Sequence, residues 1–419
     1  MHNALKIIPH IIAQHAEEAA FLWHLRQYAI QAPHYKLEHL AELDERIEGH
    51  IDGLRIAGDG GWELCEDNLQ AEEAGEVFAA TILAAESQNP RRMSVISNHV
   101  EAIPETASGF ISALSWLEFP IARKTLRDLL VSEAPFWRRI ALAACANHRI
   151  DILNSGYLAS VLNSTDTPLR ARALRAVGEL GHADLIPRLL DHLQDDDPQC
   201  RFWAAWSATL VGERQKVVER LAIEAQRASP RQDRAVNLVF RCLSGPDAER
   251  MFSAMIKTPT RQRAGICAIG THGDPSNIPA LFNWMEVPEL ARVAGASFSM
   301  ITGIDLAYED LEGERPEDFQ SGPTENPEDE NVTMDEDEDL PWPDRKLVEH
   351  WWETNQQHFT PGKRYLFGAP ISQSQCLKTL REGYQRQRQA AALELALTTP
   401  ATPLFEVRAP APRQKQALQ

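Results

Sequence analysis

AVGELGHADLIPRLLDHL, residues 176 to 193, and AIGTHGDPSNIPALFNWM, residues 268 to 285, decide the fold. Laid over each other they share Ala, Gly, Gly, Ile, Pro and Leu in register, and most remaining apolar positions match in type. The offset of 92 residues is close to three units of about 31, a length that suits paired-helix repeats. Two further units should therefore lie between them. TDTPLRARALRAVGELG (165–181) returns as DDDPQCRFWAAWSATLVG (195–212), with Arg170 and Arg201, Ala173 and Ala204, and Gly181 and Gly212 each 31 apart. RQDRAVNLVFRCLSG (231–245) fills the remaining gap, and APFWRRIALAACANHR (134–149) precedes the first unit.

Each unit follows from helix rules. Asp166 or Asp197 can cap a helix N-terminus by accepting a hydrogen bond from an otherwise unpaired N–H. Pro168 or Pro198 then occupies the first turn, where no N–H is missed. Small residues (Ala173, Ala176; Ala204, Ala205, Ala208) let neighbouring helices approach closely. Gly181 or Gly212 ends the helix in the left-handed conformation that glycine tolerates. A second helix carries Ile186, Leu189, Leu190 and Leu193 at helical spacing. Neither helix can bury its apolar stripe alone, so stacking of successive pairs must form the core.

At 419 residues and 43% hydrophobic content the chain has ample material for a core. Its net charge of -18 argues against binding to nucleic acid or anionic membranes, which needs a positive field. The six cysteines (Cys65, Cys145, Cys200, Cys242, Cys267, Cys376) are scattered without a CxxC pair, which disfavours zinc and dithiol chemistry and fits a reducing compartment. His10, His15, Glu17 and Glu18 interrupt the N-terminal segment where a signal peptide would be apolar, and no apolar stretch is long enough to span a membrane. The expectation is a cytoplasmic protein.

Asp197-Pro198-Gln-Cys-Arg201, then Ala-x-x-Ala, then Gly212, resembles HEAT-like repeats of the phycobilisome-lyase type. That resemblance implies that Asp166, Asp197, Arg170 and Arg201 contribute to polar ladders between units. LDERIEGHIDGLRIAG (43–58), RARALRAVGELG, RFWAAWSA, LPWPD followed by Trp351-Trp352, and GKRYLFGAP together resemble a proteobacterial family of HEAT-like proteins. Members of that family are often encoded near type VI secretion components, which implies a context without supplying an activity.

The stretch 43–58 concentrates Asp44, Glu45, Glu48, His50 and Asp52. On a helix, Leu40, Leu43, Ile47, Ile51 and Leu54 form an apolar stripe. Asp44, Glu48 and Asp52 form a separate line facing mostly away from it, solvated or in contact with another helix. Gly49 and Gly53 suit close helix contact, and Gly58 ends the helix. His50 lacks a histidine partner four residues away, so no helical metal site is expected.

Between Glu309 and Asp344 there are sixteen acids against Arg315 alone, which reads as an extended or disordered insertion. Asp335, Glu336, Asp337, Glu338 and Asp339 are its candidates for contact with a basic partner; an EF-hand spacing is missing. Prolines flank Trp342, and Trp351 and Trp352 should anchor C-terminal helices onto the repeats. Trp203 and Trp206 should pack between repeats. GKRYLFGAP (362–370) reads as a turn with Arg364 in a local ion pair, and QRQRQAAALELAL (385–397) as a helix.

No GxSxG, HExxH, P-loop or GxGxxG motif occurs, so no catalytic, cofactor or metal residue is assigned. The expected fold class is an all-α, right-handed α-solenoid. It comprises an N-terminal helical cap (1–125), HEAT-like repeats (126–305), an acidic insertion (306–345) and a C-terminal helical segment (346–419) closing the array. The expected function is a noncatalytic protein-binding scaffold, as adaptor or chaperone for, or immunity protein against, a type VI secretion effector, with a basic secreted effector as the expected protein partner. Arg188, His192, Glu219 and Trp284 are the candidate groove contacts. The alternative is an enzyme with an unrecognised site in the groove.

Overall fold

The computed structural model describes residues 8–150, 153–317, 319–322 and 334–419. The chain folds as two compact units that divide after Gly212. The first comprises the chain up to Gln31, Tyr35–Gly212 and Thr399–Gln419; the second comprises Ala32–His34 and Glu213–Thr398. In chain order the first unit contains α1 (Pro9–Ala29), α2 (Leu37–Ala57), α3 (Asp59–Asn68), α4 (Ala74–Ser87), α5 (Pro90–Ala102) and α6 (Ala107–Trp116). It continues with α7 (Phe119–Leu130), α8 (Pro135–His148), α9 (Ser155–Leu162), α10 (Thr167–Leu180), α11 (Ile186–Asp191) and α12 (Pro198–Leu210). The second unit contains α13 (Val218–Ala225), α14 (Gln232–Cys242), α15 (Gly245–Ile256), α16 (Gln262–His272), α17 (Ile278–Phe282) and α18 (Pro288–Thr302). After these come α19 (Arg345–Asn355), a hairpin of β1 (Tyr365–Leu366) and β2 (Ala369–Pro370), α20 (Gln373–Glu382) and α21 (Gln385–Thr398). The last helix, α22 (Ala411–Ala417), belongs to the first unit again.

The fold class is all-α, with helix pairs layered as in a solenoid. In the first unit α6, α8, α10 and α12 stack in succession; in the second, α14, α16 and α18 do the same. The helix between each stacked pair packs on the helix that follows it: α7 on α8, α9 on α10, α11 on α12, and α13, α15 and α17 on α14, α16 and α18. Between the two self-matching stretches the helix pairs recur, as the 92-residue offset requires. The caps also follow the sequence reading. Asp166 accepts from Leu169 N at 2.8 Å, and Asp197 accepts from Cys200 N at the same distance. Ala173, Ala176, Ala204 and Ala208 are fully buried. A Cβ on Gly178 would lie 2.5 Å from Ser207 Oγ, and one on Gly270 would lie 2.8 Å from Ser297 Cα. Glycine is therefore what lets α10 approach α12 and α16 approach α18, and each serine hydroxyl donates to the carbonyl of Leu174 or Ile266.

The polar ladder differs from the implied one. Asp166 and Asp197 are spent on their helix caps, and Arg170 instead pairs bidentately with Asp195 at 2.9 Å. Arg201 donates to the Asp195 and Asp196 carbonyls.

Helix α2 keeps the apolar stripe Leu40, Leu43, Ile47, Ile51 and Leu54 in the core. Its acidic line is a different matter. Asp44 is 3% exposed and pairs with Arg26 of α1 at 2.5 Å, while its other oxygen accepts from Ala411 N at 2.6 Å. Glu48 accepts from the Trp116 indole and from Arg55, which also reaches Asp52 and Glu86. The line is thus compensated by arginines on and beside the helix, which is how carboxylates at four-residue spacing avoid mutual repulsion. Gly53 makes room for the His15 ring, whereas Gly49 faces open space and makes no helix contact.

The C-terminal chain does not simply stack on the last repeat. In the first unit, residues 399–419 run back along the C-terminal ends of α12, α10, α8, α6 and α1, and reach Asp44 in the N-terminal half of α2. Pro400 lies at Gly212, Thr402 at Gly181, and Leu404 N donates to Glu179 O. Arg149, at the end of α8, donates to Leu404 O and pairs with Glu406 at 2.8 Å. Arg413 donates to the carbonyls of Ser115, Trp116 and Leu117. Helix ends leave several carbonyls without intrahelical partners, and this strap supplies donors for them. Beneath it Glu179, 1% exposed, takes Arg172 and Arg175 at 2.8 Å each. Burial opposes ionisation of Glu179, yet Arg172, Arg175 and Arg149 hold its carboxyl well below the usual carboxylate range. Glu406 behaves alike: burial raises it, but Arg408 and Arg149 bring it down to about 2.

In the second unit the hairpin does the equivalent job. Phe367 and Gly368, both at positive φ, form the tight turn whose twist suits a two-residue loop. Tyr365 N donates to Gly273 O, Phe367 N to Met300 O and Gly368 N to Ile301 O. Arg364 does not make a local ion pair; it reaches Glu394 and donates to the carbonyls of His272 and Arg241. Trp351 meets Phe298 of α18 edge-on and so anchors α19 onto the repeats, whereas Trp352 packs on Phe359 just beyond its own helix.

Candidate protein-binding surface

The expected contact residues fall on the short helices and the turns after them. Arg188 is exposed on α11, and His192 opens the turn that follows, its Nδ1 2.9 Å from Asp195. Both belong to the first unit. Glu219 is exposed on α13 and Trp284 half-buried after α17, both in the second. The two pairs thus belong to different units, and His192 is held in the Arg170–Asp195 ladder.

The acidic insertion is described in part. Glu325, Glu328, Asp329 and Glu330, with Asp318, lie outside the described residues. What is described is folded onto the second unit. A short antiparallel neck closes it: Gly313 N donates to Trp342 O at 2.7 Å and Asp344 N to Leu311 O at 2.9 Å. Asp337 is 2% exposed and takes Arg263 of α16 bidentately; Glu336 lies 3.2 Å from the same guanidinium. Asp335 pairs at 2.8 Å with Arg292 of α18, whose guanidinium is stacked over Trp342 and lies over Phe319. Burial acts against the Asp335 charge, but backbone and Arg292 hydrogen bonds keep its pKa lowered. Asp339 sits 3.6 Å from His34. Glu338 is exposed. The run of acids escapes self-repulsion because this arm brings its carboxylates to arginines of the repeats. Arg263 precedes Asp337 by 74 residues, so no local pattern announces the pair.

A basic surface appears where the acidic composition of the chain gave no hint of one. Residues 213–263 hold eleven Lys or Arg against six Asp or Glu, in a chain of net charge -18. Within this tract the end of α13 and the turn before α16 border an open cleft of about 520 Å³, lined by Ile223, Gln226, Arg227, Ala228, Thr260 and Arg261. Ile223 is 54% exposed at its edge. A charge count over windows rather than the whole chain would have found this tract.

A profile of HEAT repeats matches residues 157–239, from α9 into α14. These are HEAT-like repeats. No curated protein matches the chain. Among the described residues no group of three or more His, Cys, Asp and Glu side chains is placed to hold a metal ion, and no helix is long and apolar enough to cross a membrane. The cysteines are held as thiols by burial, which pushes Cys65 and Cys145 up to about 12.

Proposed function

We propose that the chain is a noncatalytic protein-binding scaffold, acting as an adaptor or chaperone for, or an immunity protein against, a type VI secretion effector. The observation that supports binding is the division of labour within each helix pair. The long helices are consumed by stacking and their C-terminal ends by the strap and hairpin, while α11, α13 and α15 keep charged and apolar side chains exposed. Exposed Arg188, Glu219, Arg220 and Ile223 on these rigid helices provide contact area at little ordering cost. The secretion context is supported by the resemblance of LDERIEGHIDGLRIAG, LPWPD and GKRYLFGAP to HEAT-like proteins encoded near that machinery. The test is to isolate the tagged chain from its native host and reconstitute any complex from two purified components. A stoichiometric complex with a secreted protein is expected; an adaptor is then required for its export, and an immunity protein for survival of its toxicity. Purification of the chain alone under secreting conditions, or turnover of a substrate by the chain alone, contradicts the proposal.

A further inference from the structure

The geometry points to the cleft between the end of α13 and the turn before α16 as a docking site for an acidic peptide segment that carries an apolar anchor. This rests on the scaffold reading and names the chemistry of its ligand. Arg220 and Ile223 lie three residues apart and so share one face of α13, and Arg227 continues the line just past the helix end. Arg261 faces them across the cleft. Among the described residues neither Arg220 nor Arg261 has a carboxylate partner, while Arg227 has a loose one, Glu224 at 3.7 Å. Lys257, exposed at the end of α15, adds a further cation to the rim.

The second observation lies in the same unit. The first turn of α16 already binds an acidic turn, since Arg263 holds Glu336 and Asp337 of the chain's own arm. Arg261, two residues earlier, meets no such segment. The chain thus displays at Arg263 the recognition chemistry proposed at Arg261: carboxylates against guanidiniums beside a helix N-terminus, whose amides favour negative charge. The C-terminal end of α13 works the other way, and Arg227 and Arg231 beside it offset that. Ile223 sets the apolar requirement. An isoleucine 54% exposed between arginines gains from being covered, and it selects a peptide with a Leu, Ile or Met among its acids over a purely acidic tail. Nucleic acid is the competing ligand for a basic tract. The cleft is lined by isoleucine, alanine and threonine beside its arginines, without an aromatic stacking platform, which favours the peptide.

The experiment is fluorescence anisotropy on the full chain with three labelled probes: a short Asp/Glu peptide with one central Leu, the same peptide with Ser for Leu, and a single-stranded oligonucleotide. The Leu peptide should bind tightest, with affinity falling as salt rises. Ile223→Asp combined with Arg227→Glu should weaken it by about tenfold or more, as expected for losing both an apolar and a charged contact. Both side chains are exposed, so an unchanged melting temperature verifies that the variant is folded. Equal binding of the variant overturns the site, as does tighter binding of the oligonucleotide than of either peptide. The same variant is then tested in the reconstituted partner complex. Retained partner binding without peptide binding rejects this cleft and leaves the scaffold reading standing; absence of any partner for the unmodified chain rejects the scaffold reading itself.

Discussion

The two units seal the same kind of edge with different chemistry. In the first, an extended strap lies over the ends of α12, α10 and α8, and a group of arginines around the buried carboxylates of Glu179 and Glu406 fastens it. In the second, a hairpin lies over the ends of α16 and α18, and backbone hydrogen bonds from Tyr365, Phe367 and Gly368 fasten it, with Arg364 and Glu394 beside them. A carbonyl row at helix ends can thus be satisfied by guanidiniums or by another backbone. The charged solution depends on protonation state, while the backbone solution depends on close approach. Each can be broken separately.

The largest effect should come from Glu179→Ala. It leaves the half-buried Arg172 and Arg175 without their carboxylate, at a cost toward the lower end of the roughly 3–5 kcal/mol of a fully buried pair. Urea unfolding followed by a probe in the first unit should show it, with the second unit's transition nearly unmoved. The counterpart is Gly273→Ala. A Cβ there would lie 2.4 Å from the Tyr365 carbonyl, and the residue sits at φ +82. Displacing the hairpin and adopting that φ should together cost about 2–4 kcal/mol, confined to the second unit.

Acid should separate the fasteners further. Burial and Arg413 lower His148 from 6.5 to about 4, and burial-opposed pairing lowers Glu406 from 4.5 to about 2. In both cases the unfolded chain takes up the proton first as pH falls. His148 therefore contributes fully above pH 6.5 and loses that contribution between 6.5 and 4; Glu406 loses its own between 4.5 and 2. The His148 step is on the order of 3 kcal/mol, and His148→Gln should flatten it in a urea-midpoint series across that range. The smallest effect is Gly49→Ala. Its Cβ meets nothing within 4 Å on an exposed helix face, so the first unit should gain up to about 1 kcal/mol. The same change at Gly181, packed against Thr402 at φ +76, should instead destabilise.

The repeats were legible because their rules are local: a cap, a proline, small residues, a glycine, and an apolar stripe recur at fixed spacing. The stripe of α2 and the helix at 385–398 were legible for the same reason. The charged fasteners were not. Asp44 looks solvated until Arg26 and Ala411 arrive from elsewhere in the chain, and Asp337 looks disordered until Arg263 reaches it. Ion pairs between distant segments leave no periodicity, so a run of acids reads as free charge whenever its arginines lie beyond the window. The candidate surface was hidden similarly, its local basic excess averaged away by the acidic whole.

The central claim is that residues 399–419 are a structural part of the first unit. Hydrogen exchange on the intact chain and on a form ending at Thr398 tests it most directly. Loss of the strap should strip protection from amides in 140–182 while those in 262–302 stay protected. Unchanged exchange in 140–182, or equal loss in both regions, would contradict it.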